Sequence, residues 1–235
     1  MIPLLVDDRN RTVWELVSGK YEVKFEPAAN HEYSVYTIGE QITFYIPEND
    51  HCPDSFTHEL LHTLVYYYGC PIGGGFKNRI AGSQVLQRIF DIRLCEHITN
   101  SIEHRLMLPL YLEMGFEPSK FLCDYELFKS DQGLLAQVKR LYKTGNTYNI
   151  TAVRNVIGKY FTFRCDPNPD FDYTAELKYL KTIDPLLVAV MDSYLHLWDT
   201  YDFKTDELGE YRENHTIFYE GLKKWMTGKN FAREA

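Results

Sequence analysis

The stretch Ser55 to Leu64 reads SFTHELLHTL, and within it His58, Glu59 and His62 spell H-E-x-x-H. Residues four apart share one face of an α-helix, so a helical reading lets His58 and His62 present two imidazoles to a single ion. Neutral imidazole nitrogen suits zinc, whose usual site is tetrahedral. Glu59 sits beside the first ligand and can reach a water on that ion, whose pKa the metal lowers to about 7. This chemistry constrains the fold, because the helix needs one face on a core and the other on a cleft. Phe56, Leu60, Leu64 and Tyr67 supply the apolar stripe, widened by Leu61 and Tyr68. At about 100° per residue the histidines fall roughly opposite its centre.

The flanking pattern places that helix after strands. Residues 11 to 47 read as strand-rich, with Tyr21, Val23 and Phe25 alternating against Glu22, Lys24 and Glu26. YSVYTIGEQITFYIP reads as two strands around Gly39-Glu40, and Pro47 ends the second. PENDHCPD is a loop. The helix is predicted from Asp54 or Ser55, either of which can cap it, to about Tyr68. Gly69 and the glycines at 73–75 then predict a flexible loop over 69–79, either a mobile lid or a simple connector. Ser83 to Pro109 reads as one or two helices, and Pro109, Gly115 and Pro118 punctuate the next turn. Apolar spacing predicts further helices near 119–143, 151–162, 173–199 and 208–227, with CDPNPDFDY as a loop. A small sheet followed by helices predicts an α+β fold in one domain over 1–235. Residues 1–118 form its β-rich part with the active-site helices, and 119–235 its helical part.

Composition excludes several functions. The 235 residues include 25 basic and 33 acidic side chains, a net charge of −8, and no basic stripe of the kind a nucleic-acid binder carries. The longest apolar run, Leu186 to Met191, is too short to cross a bilayer. Five scattered cysteines without a C-x-x-C, and a first segment unlike a signal peptide, are the pattern of a cytoplasmic protein with reduced thiols. GGGFKNR lacks Walker spacing, no G-x-S-x-G occurs, and CDPNPDFD lacks EF-hand spacing.

Strands, an H-E-x-x-H helix and further helices resemble the zincin-type metallopeptidases over roughly residues 35 to 110. The resemblance implies a cleft between the sheet and the helix, His58 and His62 as zinc ligands, and Glu59 as general base. It also implies that the strand Gln41 to Pro47 binds an extended peptide by strand addition. The longer metzincin pattern is absent, because Val65 and Tyr68 stand where it requires Gly and His.

A catalytic zinc takes three protein ligands and keeps one position for water. The segment CEHITNSIEHRLMLP, Cys95 to Pro109, offers the third ligand on the polar side of a helix whose apolar side is Leu94, Ile98, Ile102 and Leu106. His104 is the preferred candidate and Glu103 the alternative, with Glu96 and His97 behind them. Asn100, one turn before His104, can orient the imidazole or the substrate. Tyr66, Tyr68, Arg105 and Tyr111 are candidate donors to a developing oxyanion. His31 and His51 lie near the sheet and the loop before the helix, while His196 and His215 read as plain surface or half-buried residues.

The expected function is zinc-dependent hydrolysis of peptide bonds by a zinc-activated water, with a peptide or protein substrate and neither nucleic acid nor membrane as partner. Two other readings stay open. One is a binding or scaffold protein with a structural or vestigial metal, meeting a protein partner through the C-terminal helices. The other is a zinc hydrolase of small amides.

Overall fold

The computed structural model of the chain describes residues 2–30 and 32–232. The fold is α+β, with helices and two small mixed sheets. Its contacts separate into two compact units, one comprising the chain up to Cys70 with Arg105–Glu126, the other comprising Pro71–His104 with the chain from Leu127.

The first unit begins with α1 (Ile2–Leu5) and α2 (Arg11–Lys20). The strand expected from residue 11 is therefore a helix up to Lys20. Val13 and Val17 are buried one turn apart, and that period outweighs the strand preference of their branched side chains. Next come β1 (Glu22–Pro27), β2 (Ser34–Ile38) and β3 (Gln41–Ile46), in spatial order β1-β3-β2. β1 runs parallel to β3, and β2 pairs antiparallel through the turn at Gly39, whose φ is +56°. The strand Gln41 to Pro47 was expected to receive an extended peptide. It cannot, because β3 is the central strand and both its edges are already paired.

α3 (Pro53–Tyr67) packs its apolar face against this sheet. Phe56 meets Phe44 of β3 with ring centroids 5.0 Å apart, and Trp14 and Phe25 close the cluster at about 6 Å. The capping prediction shifts by two or three residues. Cys52 is the N-cap, without a side-chain cap, and Pro53 takes the first helical position, where its missing N–H leaves nothing unsatisfied. Asp54 falls in the first turn, where a negative charge complements the helix dipole.

The second unit begins with α4 (Ile72–Ile80), so the expected flexible loop is helical. The glycines serve close packing: a Cβ at Gly75 would stand 2.8 Å from Tyr211 Cε2 and 3.2 Å from His215 Cδ2. α5 (Gln84–Ile89) is capped by Ser83, whose Oγ accepts from Leu86 N. α6 (Ile92–Glu113) runs unbroken past the Pro109 expected to end it. Pro109 has no N–H for the Arg105 carbonyl, a local loss that the helix tolerates.

Of the helix expected near 119–143, only α7 (Gln132–Leu141) forms, after a single 3-10 turn at Pro118–Lys120. Three short strands were not anticipated. β4 (Lys143–Thr144) and β5 (Thr147–Asn149) make a hairpin at Gly145, and β6 (Asn230–Ala232) lies parallel to β5. α8 (Ile150–Arg164), α9 (Thr174–Ile183), α10 (Pro185–Asp199) and α11 (Tyr211–Met226) complete the unit. Asp184 separates α9 from α10, accepting from Leu187 N, Tyr142 Oη and Trp225 Nε1. Tyr194 of α10 stacks on Phe218 of α11 at 4.0 Å, with Phe76 of α4 beside them. No helix among the described residues is long and apolar enough to cross a membrane. No disulfide forms among them.

Candidate metal centre

The i,i+4 spacing on α3 brings His58 Nε2 and His62 Nε2 to 3.2 Å, with their rings inclined at 68°. Two imidazole nitrogens on one tetrahedral zinc, each at 2.0–2.1 Å from it, stand about 3.4 Å apart, so the pair already has the spacing of shared ligands. His104 supplies the third nitrogen. The ligand atoms of His58, His62 and His104 lie within 4.8 Å of one another. His104 lies in the second half of α6.

Glu59 Oε1 lies 3.9 Å from His58 Nε2, and both side chains are largely buried, at 13% and 11% exposure. Burial lowers the His58 pKa to about 3, and the neighbouring His62 pushes it in the same direction. The imidazole is therefore neutral near pH 7, the state a metal ligand requires.

The helix is held in place by polar groups that sequence reasoning did not single out. Asn10 is fully buried. Its Nδ2 donates to Thr57 Oγ1 at 2.8 Å and to the Leu5 carbonyl at 3.0 Å. Thr57 Oγ1 in turn donates to the Pro53 carbonyl, tying the first turn of α3 to the N-terminal segment. A buried amide with both donors committed locks helix placement more firmly than apolar packing alone. Asn10 comes directly after Asp7, Asp8 and Arg9, a polar run in which nothing marks one residue as buried.

An aromatic wall backs the histidines. Phe121 packs on His58 at 4.8 Å, Tyr111 on Phe121 at 5.0 Å, and Phe116 on Tyr111 at 5.0 Å. Arg9 covers Phe116 at 3.8 Å and reaches Asp54 at 3.7 Å. In front lies a cleft of about 460 Å³, lined by His58 and Glu59 from α3, Tyr33 and Asp50 from the sheet side, Lys120 from the 3-10 turn and Phe121 directly after it. Tyr33 Oη donates to the Asp50 carbonyl and accepts from Cys52 N, each at 2.8 Å, which fixes the loop leading into α3. Burial raises this phenol to about 12, so it stays protonated and keeps its bond to the Asp50 carbonyl.

Of the expected site residues, His58, Glu59, His62 and His104 come together. Glu103 is half-buried on α6 outside the three-histidine group, and Asn100 is exposed. His97 turns to the Gly158 carbonyl and Thr162. His196 is 79% exposed beside Asp199, His215 is buried in the second unit, and His31 lies outside the described residues. Tyr66, Tyr68, Arg105 and Tyr111 do not line the cleft. Tyr33 and Lys120 do, and no motif marked them in the sequence.

Comparison with known proteins gives no family model, no curated protein and no solved structure that matches this chain.

Proposed function

We propose that the chain is a zinc-dependent, zincin-like hydrolase acting on peptide bonds. The observation that carries the reading is the convergence of three imidazole nitrogens within 4.8 Å, with the Glu59 carboxylate 3.9 Å from one of them. Three ligands, rather than four, are the donor set of a catalytic site, because a fourth position is left for water or substrate. Soft sulfur is missing from the group and all three donors are imidazole, which suits zinc.

Zinc bound there would supply Lewis acidity and activate a water for attack. His58 and His62 would hold the ion from the middle of α3, and His104 would close the set from α6. Glu59, whose side chain is largely buried, would accept a proton from the attacking water and later deliver it to the departing amine. Phe121 and Tyr111 exclude water behind His58, which strengthens electrostatic interactions at the site. Tyr33 and Lys120, on the rim of the same cleft, are placed to meet a polar substrate group.

Metal content and hydrolysis test the reading together. Wild-type protein is expected to hold about one zinc per chain and His58→Ala little. Glu59→Gln is expected to keep the metal and to lose at least about a hundredfold in the hydrolysis of a peptide library. Wild type that stays metal-free after zinc is added back would end the metal reading. A Glu59→Gln variant as active as wild type would remove Glu59 from the mechanism.

A further inference from the structure

The second unit contains a polar cavity of about 530 Å³ between α4 and α11, within the size range of small-molecule sites. Gly74, Asn78 and Arg79 line it from α4, and Tyr211, Arg212 and His215 from α11. No carboxylate is among the lining residues, in a chain that has 33 acidic and only 25 basic side chains. Two like charges facing one cavity without a counter-charge repel each other, and an anion between them relieves that repulsion.

Neither arginine has a carboxylate partner among the described residues. Arg212 Nε donates to Tyr211 Oη at 3.1 Å, which holds one edge of the guanidinium and leaves its terminal nitrogens for a ligand. His215 forms a neutral floor. Its Nε2 faces the Ile72 carbonyl at 3.2 Å, a group that only accepts, so Nε2 carries the proton and Nδ1 accepts from Tyr194 Oη at 2.9 Å. Both ring nitrogens are thereby committed, and the positive charge of the cavity comes from the arginines. The glycines complete the shape. Gly75 lets α4 approach Tyr211, whereas a Cβ at Gly74 would meet no atom within 4 Å and so faces open space in the cavity.

We propose that this cavity binds a phosphate group, free or carried on a small organic ester, through Arg79 and Arg212. A planar guanidinium fork matches phosphate oxygens in pairs, and Asn78 adds a neutral donor. The cavity shares no residue with the three-histidine group, so phosphate binding should survive removal of any metal.

Isothermal titration of the full chain with inorganic phosphate and with adenosine monophosphate, against chloride at matched ionic strength, tests the proposal. Saturable phosphate binding is expected, insensitive to chelator. Arg79→Ala and Arg212→Ala should each weaken it about tenfold or more, since both remove charge-assisted bonds from exposed side chains. Gly74→Glu should abolish binding while the melting temperature holds or rises, because the new carboxylate enters open space and glycine disfavours a helix. Lys223→Ala, on the same helix but paired with Glu220 outside the cavity, should bind as wild type. Tighter binding of the nucleotide assigns an ester as ligand, and equal affinities assign free phosphate. No saturable binding of either probe, or binding that survives both arginine variants and Gly74→Glu, overturns the proposal.

Discussion

At the residue scale the third ligand is the sharpest question. His104 and Glu103 are adjacent on α6, about 100° apart around its axis, so only one can face His58 and His62 squarely. The cluster contains His104. His104→Ala is therefore expected to lower zinc affinity by about a hundredfold or more, and Glu103→Ala by much less, measured by competition with a chromophoric chelator. The reverse order would transfer the ligand role to Glu103. The histidine pair was legible in the sequence because its geometry is local, set by helical spacing alone. The choice between positions 103 and 104 was not, because it depends on the rotation of a helix more than forty residues downstream.

At the element scale, glycines that suggest flexibility turn out to permit contact. Gly75→Ala forces a methyl against the buried Tyr211 ring, and overpacking of this kind typically destabilises by about 1–3 kcal/mol. Gly74→Ala meets nothing and should stabilise by up to about 1 kcal/mol. Urea unfolding of the two variants checks the contrast, and equal effects would refute it. The same limit on local reading recurs elsewhere. The helices with a continuous apolar period, α3, α8 and α11, were legible from sequence, whereas residues 11–20 and 72–80 fold into a class their local pattern does not suggest. In the first case β-branched valines mask a buried i,i+4 pair, and in the second a partner helix 140 residues away decides the outcome. β4, β5 and β6 are two or three residues each, and β6 pairs across more than eighty residues, beyond the reach of any window. Asp184-Pro185 was legible in principle as a cap followed by a first-turn proline, and it divides what periodicity alone reads as one helix.

For the whole molecule, His215 links stability to pH. It is 1% exposed, and burial lowers its pKa from 6.5 to about 4, with Arg79 acting in the same direction against the bond to the Ile72 carbonyl. The unfolded chain takes up this proton near pH 6.5 and the folded chain only near pH 4. The group therefore costs nothing above about 6.5, and stability falls as pH drops through that window, by about 3 kcal/mol in all. Unfolding free energies at pH 7 and pH 5 should differ accordingly, with the His215 ring signal still neutral at pH 5 by NMR. A His215 that titrates near 6.5 in the folded protein would remove the effect.

The pairing of His58 with His62 also bears on the order of events in the life of the protein. Two of the three candidate ligands are positioned by one helix, and that helix is anchored by Phe56, Leu60, Leu64 and the Asn10–Thr57 bond. A zinc finger has to capture its metal in order to fold, but a chain built this way can fold first and be metallated afterwards. Protein refolded in chelator should regain its native spectrum, and zinc added later should restore the centre without a folding lag. Supply of the ion, rather than synthesis of the chain, would then set when the protein becomes competent.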